Sequence, residues 1–151
     1  APKQNDRLAR QIVDAGGALI TEYAFGVEPF PHQFVKRDRI QAGLAKGVVM
    51  VQSDKEGGSL HASRAALDYG RYLAVPYPTE RDIEMKEPKI AANLLLSSTD
   101  DTARSELLKC RPSELGRVLV LRSRDDYPGL VDRLGSIHSS PGPTMQTSLL
   151  S

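Results

Sequence analysis

The sequence predicts an α/β domain built on a mostly parallel sheet with helices on both faces. Three observations carry this expectation: short apolar runs, partly β-branched, alternate with amphipathic stretches; the connections between them are short; and glycine closes several of the amphipathic stretches. The 151 residues, 40% of them hydrophobic, suit one such domain. Its expected extent is residues 1–137, followed by a flexible tail over 138–151.

In chain order, Asn5 or Asp6 can cap a first helix that carries Leu8, Ile12 and Val13 on one face and stops at Gly16-Gly17. ALITEY, Ala18 to Tyr23, has the length and composition of a buried strand. The two prolines of AFGVEPFPHQ make that stretch a loop. FVKRDRIQAGLAKG reads as a helix that turns Phe34, Ile40 and Leu44 inward, leaves Lys36, Arg37 and Arg39 accessible, and ends at Gly47. VVMVQ, Val48 to Gln52, is the near-continuous apolar run of a parallel strand covered on both faces. A turn, SDKEGGS, leads into the helix SLHASRAALDYG, closed by Gly70, and YLAVP (Tyr72 to Pro76) is the next strand.

Beyond Tyr77, PYPTERDIEMKEPK reads as a long connection rich in proline and charge, and Lys89 to Ser97 leaves helix and strand both open. Asp100 or Asp101 can cap a helix reaching about Cys110, RVLVLRS (Arg117 to Ser123) is a further strand, and a last strand–helix unit closes at Ile137. The uncharged tail SSPGPTMQTSLLS is expected to order only on a partner.

Composition narrows the function. With 20 Lys and Arg against 19 Asp and Glu, the net charge of +1 supplies no global field for a polyanion, so a nucleic-acid site has to be a local patch. The single cysteine, Cys110, excludes an internal disulfide and a cysteine metal cage and fits a reducing, cytoplasmic setting. No apolar run approaches the roughly 20 residues that span a bilayer, and the N-terminus APKQNDRLAR has no apolar signal core.

Two features could carry chemistry. Glu56-Gly57-Gly58-Ser59 lies between a strand and a helix start, where a bare backbone and the positive end of the helix dipole attract an anion such as phosphate. A tight turn with no ligand fits the same residues. Lys36, Arg37, Arg39 and Lys46 form the densest basic cluster, with Phe34 at its front to stack on an exposed base. A solvated helix face also fits. In a parallel sheet, ligands gather beyond the carboxyl ends of the strands, and both features can open there. His32, His61 and His138 lack metal-ligand spacing, Cys110 has no histidine near it in sequence, and there is neither a P-loop nor a GxGxxG motif. Glu22 sits where a general base is sought, but it more often pairs with a cation and receives no catalytic role. No catalytic residue, metal or cofactor is expected.

From Gly16 to Pro76 the chain resembles the DprA/Smf family, whose pattern runs roughly G-liSE-p-G, FPxRNRiIAgLs, vvVvEa, SGSLiTA and GRxvfAVPG, in the same order and spacing as here. The resemblance implies a Rossmann-like domain without enzymatic activity. It also implies that the domain binds single-stranded DNA, forms a homodimer and helps load a RecA-type recombinase during natural transformation. Matched by position, Phe34, Lys36, Arg37 and Arg39 fall on FPxRNR, and Gly57, Gly58 and Ser59 fall on SGS; the resemblance implies that these residues line the DNA pocket. Val35 stands for the usual proline, Asp38 for the asparagine, Gly57 for the first serine, and AVPYP for AVPG. The family's GSR and SGxAxGID motifs, which help to build the same pocket, do not occur. A competing expectation is a nucleotide-binding or nucleotide-hydrolysing relative similar to the cytokinin-activating phosphoribohydrolases. Against it, EGGSLHAS lacks the Gly-Thr pair and glutamate of their PGGxGTxxE motif.

Overall fold

The structure is a computed structural model that describes residues 5–24, 26–28 and 30–136. The chain divides into two compact units, residues 1–30 and 31–151.

In the first unit, helix α1 (Asp6–Asp14) follows Asn5 and ends where Gly16 adopts a left-handed φ of 80°, as the glycine pair predicts. The expected strand at Ala18 to Tyr23 does not form, and Leu19 and Ile20 are exposed. A strand exists only as one member of a ladder, and among the described residues no strand pairs with this run. Locally, the Thr21 hydroxyl accepts the Tyr23 N–H at 3.0 Å, a side-chain turn that competes with extended structure.

The second unit carries the sheet. Helix α2 (Pro31–Leu44) starts three residues earlier than predicted, with Pro31 as its first residue, where a missing N–H costs nothing. Gly47 does not end that helix but opens strand β1 (Gly47–Val49). A Cβ on Gly47 would lie 2.8 Å from the Leu134 side chain and 3.0 Å from the Tyr72 carbonyl, so close approach of chains explains the glycine. Helix α3 (Ser59–Asp68), β2 (Tyr72–Pro76), α4 (Glu80–Glu84), α5 (Ala91–Leu96), α6 (Asp101–Leu108), β3 (Val118–Leu121) and α7 (Tyr127–Ser136) complete it. The segment after Tyr77 is therefore more regular than a loop, because Thr79 and Asp82 form a reciprocal capping box that starts α4. Lys89 to Ser97 resolves as a short 3-10 turn (Pro88–Ile90) followed by α5. Asp100 caps α6 by accepting the Ala103 N–H at 3.0 Å, as predicted. Ile137 and the tail over 138–151 lie outside the described residues.

The three strands are parallel in the order β1-β2-β3, with Val48 opposite Leu73 and Leu73 opposite Val118. The alternation of strand side chains sends Val48, Met50, Leu73, Val75 and Val118 to one face. There they form the core with Leu60 and Leu67 of α3, Ala92 and Leu96 of α5, and Leu108 of α6. Gly47 and Tyr72 face the other way, toward Leu134 of α7. Helices thus cover both faces of a parallel sheet, the Rossmann-like α/β architecture expected.

Candidate nucleic-acid interface

The chain leaves β1 through Val51 and Gln52 and is captured by a buried amide. Asn93 of α5, 1% exposed, accepts the Ser53 N–H through Oδ1 at 3.0 Å. Its Nδ2 donates to the carbonyls of Met50 at 3.3 Å, Val51 at 3.0 Å and Pro76 at 3.0 Å. Ala92 N–H adds a bond to the Ser53 carbonyl at 3.0 Å. One side chain therefore joins the exits of β1 and β2 to α5, and pins the base of the loop that follows.

That loop is wound by its own polar groups. Asp54 Oδ1 accepts the Glu56 N–H at 2.9 Å, and the Asp54 carbonyl accepts from the Ser53 hydroxyl at 2.9 Å and from the Gly57 N–H at 3.3 Å. A Cβ on Gly57 would collide with the Ser53 hydroxyl oxygen, so any larger residue has to turn that hydroxyl off its bond to the Asp54 carbonyl. Gly58 is different: its backbone is helical (φ −57°, ψ −30°), and a Cβ there would meet nothing within 4 Å. The second glycine leaves open space where α3 begins, although its conformation does not require glycine.

Gly58 is the N-cap of α3 and supplies no side-chain cap. The N–H groups of Leu60 and His61 are taken by the carbonyls of Gly57 and Gly58 at 3.1 and 3.0 Å. Among the described residues, the N–H groups of Gly58 and Ser59 meet no acceptor. They stand at the positive end of the α3 dipole, the arrangement that binds anions. Gly57, Gly58, Ser59, Asp54 and Lys89 line a hollow of about 280 Å³ here. Lys89 is the cation of this hollow, and Asp54 the opposing carboxylate on its wall.

The basic cluster lies on the neighbouring helix. Gly43 near the end of α2 packs against the Tyr69 ring just past α3, and its carbonyl accepts from the Arg71 guanidinium at 3.0 Å. The two helices pack side by side with their C-terminal ends together, so they run parallel and both begin at the strand-exit rim. At 1.5 Å per residue, Ser59 lies about 15 Å back from Tyr69, while Arg39, Arg37 and Lys36 lie about 6, 9 and 10 Å back from Gly43. The cations therefore sit about a turn or more behind the rim on the α2 surface, and Cα–Cβ bonds in a helix tilt toward its N-terminus. Lys36, Arg37 and Arg39 are exposed, but they do not line the glycine hollow. Asp38 is half-buried, one turn before the fully buried Ala42. The Phe34 side chain lies outside the described residues.

Sequence reading found the glycine turn and the cations but missed Lys89 and Asn93. Asn93 had a signal, a lone amide in the apolar run AANLLL; Lys89, in a charged connection, had none. Cys110 is held above the ordinary thiol range by burial first and by the Glu114 and Asp68 carboxylates second. Among the described residues, no group of three or more His, Cys, Asp or Glu side chains is placed to hold a metal ion. Nor is any helix among them long and apolar enough to cross a membrane.

The glycine turn and the basic stretch both fall within the reach of a known family. A family model described as DNA recombination-mediator protein A matches residues 1–99. Protein Smf of Escherichia coli (strain K12) is 41% identical over 78 residues, which are 51% of this chain and 21% of that protein. DNA processing protein DprA of Streptococcus pneumoniae is 34% identical over 76 residues, 50% of this chain and 27% of that protein. DNA processing protein DprA of Bacillus subtilis is 36% identical over 76 residues, 50% of this chain and 25% of that protein. The chain thus spans about a quarter of the length of these relatives. With two thirds of its residues under the family model and the motifs in the same order, the chain belongs to the DNA recombination-mediator protein A family, also called DprA/Smf.

Proposed function

We propose that this chain binds single-stranded DNA as part of a DNA-processing, recombination-mediator protein. A backbone phosphate docks on the Gly58 and Ser59 N–H groups beside Lys89, and the strand continues along α2, where Lys36, Arg37 and Arg39 meet further phosphates. Gly57 keeps the turn closed, and Phe34 contacts a base, as the resemblance implies. The observation that carries this reading is the pair of unfilled N–H groups at a glycine turn on the strand-carboxyl rim, in a chain with relatives named as DNA processing proteins. Binding is non-enzymatic in this reading. Homodimerisation and the loading of a RecA-type recombinase belong to the same proposal for the whole protein in the cytoplasm.

Fluorescence anisotropy with labelled oligo-dT at two salt concentrations tests it. With three or four phosphates neutralised, the affinity for a single strand falls about 20- to 50-fold between 50 and 200 mM salt. Reversing two charges, Arg37→Glu with Arg39→Glu, weakens binding and flattens that salt dependence. No detectable binding at low salt overturns the proposal, and unchanged affinity of the double variant removes α2 from it.

A further inference from the structure

A second hollow, of about 210 Å³, adjoins the glycine turn on the same rim, and the phosphate contacts described above make no use of it. Its walls are Val51 from the exit of β1, Pro76, Tyr77 and Pro78 from the exit of β2, and Thr79 and Asp82 at the start of α4, the Asp82 carboxylate accepting from the Thr79 N–H and hydroxyl. Gln52 lines both hollows, and Lys89 of the first precedes Ile90 of the second in the chain. The two are therefore contiguous. The second is mainly apolar where the first is polar, and the Asn93 amide beneath it is already bonded to backbone. At about 210 Å³ it is smaller than the roughly 300–1,000 Å³ of sites for drug-sized ligands, which suits one planar ring system.

Its aromatic wall is fixed in place. Tyr77 N–H donates to the Leu121 carbonyl at 2.8 Å and so extends the β2–β3 ladder past its last paired residues. The Arg122 guanidinium lies over the Tyr77 ring, 4.6 Å from the centroid. Arg122 is anchored in turn: its N–H donates to Asp126 at 2.6 Å, and its guanidinium donates to the Ser97 carbonyl at 3.4 Å. Tyr77 nevertheless remains 37% exposed. An exposed aromatic–guanidinium stack is the platform on which nucleobases stack irrespective of sequence.

We propose that the hollow bounded by Val51, Pro76, Tyr77 and Pro78 receives a nucleobase from the strand whose phosphate occupies the Gly58–Ser59 turn. The inference rests on the single-stranded DNA reading and adds a base-stacking site to it. One nucleotide then spans the two hollows, with its charge at the helix start and its base against Tyr77.

The test compares two probes, labelled oligo-dT and an abasic deoxyribose-phosphate chain of equal length, on the wild-type chain and on Tyr77→Ala, Tyr77→Leu and Tyr77→Phe. Stacking of one base should make wild-type binding to oligo-dT tighter than to the abasic chain by about 5-fold or more. Tyr77→Ala and Tyr77→Leu should each narrow that margin by about 5-fold or more, to what Phe34 supplies, while keeping wild-type affinity for the abasic chain, and Tyr77→Phe should retain it in full. Thermal unfolding of each variant confirms that it is folded, with Tyr77→Leu preserving apolar bulk if alanine does not. If the wild type binds oligo-dT and neither Tyr77→Ala nor Tyr77→Leu alters that affinity, the base site is wrong and the DNA reading stands. If the wild type binds neither probe, the DNA reading falls and the base site falls with it.

Discussion

Replacing Asn93 with alanine removes a side chain that ties the exits of two strands to α5. The buried carboxamide accepts from Ser53 N–H at 3.0 Å and donates to three carbonyls at 3.0 to 3.3 Å. A neutral hydrogen bond contributes about 1 kcal/mol net, and a buried group left without a partner costs about 1–3 kcal/mol. The Ser53 N–H is such a group, because Ser53 is itself buried. Together with the small cavity, the loss comes to about 3–4 kcal/mol, a large part of the roughly 5–15 kcal/mol that holds a domain together. It should lower the thermal midpoint by about 10 °C. The protein has no tryptophan, so urea unfolding is best followed by far-ultraviolet circular dichroism. Asn93→Asp separates donation from acceptance: an ionised carboxylate keeps the bond to Ser53 but turns an acceptor toward three carbonyls. It should destabilise at least as much at neutral pH and recover in part in acid, where the protonated form regains one donor. A loss below about 1 kcal/mol for Asn93→Ala would refute the view that this amide organises the rim.

Three further outcomes follow from local geometry. Gly57→Ala, whose Cβ strikes the Ser53 hydroxyl, should cost about 1–3 kcal/mol in urea unfolding, whereas Gly58→Ala, with open space around its Cβ, should leave stability within about 0.5 kcal/mol of wild type. If the two glycines respond alike, the geometry assigned to the turn is wrong. The N–H groups of Ser123 and Arg122, bonded at 2.9 and 2.6 Å, hold the Asp126 carboxyl below the usual carboxylate range. A folded pKa below the unfolded one adds stability that is present above about pH 4 and disappears as pH falls through the folded value. Unfolding midpoints measured from pH 5 to pH 2.5 should therefore fall less steeply in Asp126→Asn than in wild type; parallel curves would contradict this. Lys109 ends α6 with a left-handed φ of 52°, so Lys109→Gly should stabilise by up to about 1 kcal/mol, and destabilisation in the same urea assay would count against it.

The parts of the fold visible in the sequence are those governed by local pattern. The apolar runs of β2 and β3 and the glycine stops after α1 and α3 report short-range physics that tertiary context did not override, whereas the run Val48 to Gln52 is strand only as far as Val49, and Val49 and Val51 are exposed where the pattern predicts cover on both faces. The run at Ala18 to Tyr23 was misread because composition fits a strand to its surroundings but cannot supply the strand beside it. Thr79 and Asp82 spell out the capping box of α4, but the proline and charge on either side carry the pattern of a loop. At the candidate site, Gly57 and Gly58 were readable as a turn, but their different roles depend on what a Cβ would meet and emerge only in three dimensions. Lys89 and Tyr77 reach the rim from a segment 30 or so residues away from the glycine turn or beyond the next strand, a convergence set by crossover topology and not by spacing.

The central claim is that the backbone amides at the start of α3 capture a phosphate of single-stranded DNA. Following the nitrogen-15 resonances of the chain while adding oligo-dT tests it most directly, since Gly58 and Ser59 are observed one amide at a time. The account predicts that these two amides move in step with binding, together with residues of α2 around Lys36, and that their shifts shrink as salt is raised. Oligonucleotide binding that leaves the Gly58 and Ser59 amides unmoved while other surfaces respond would contradict it.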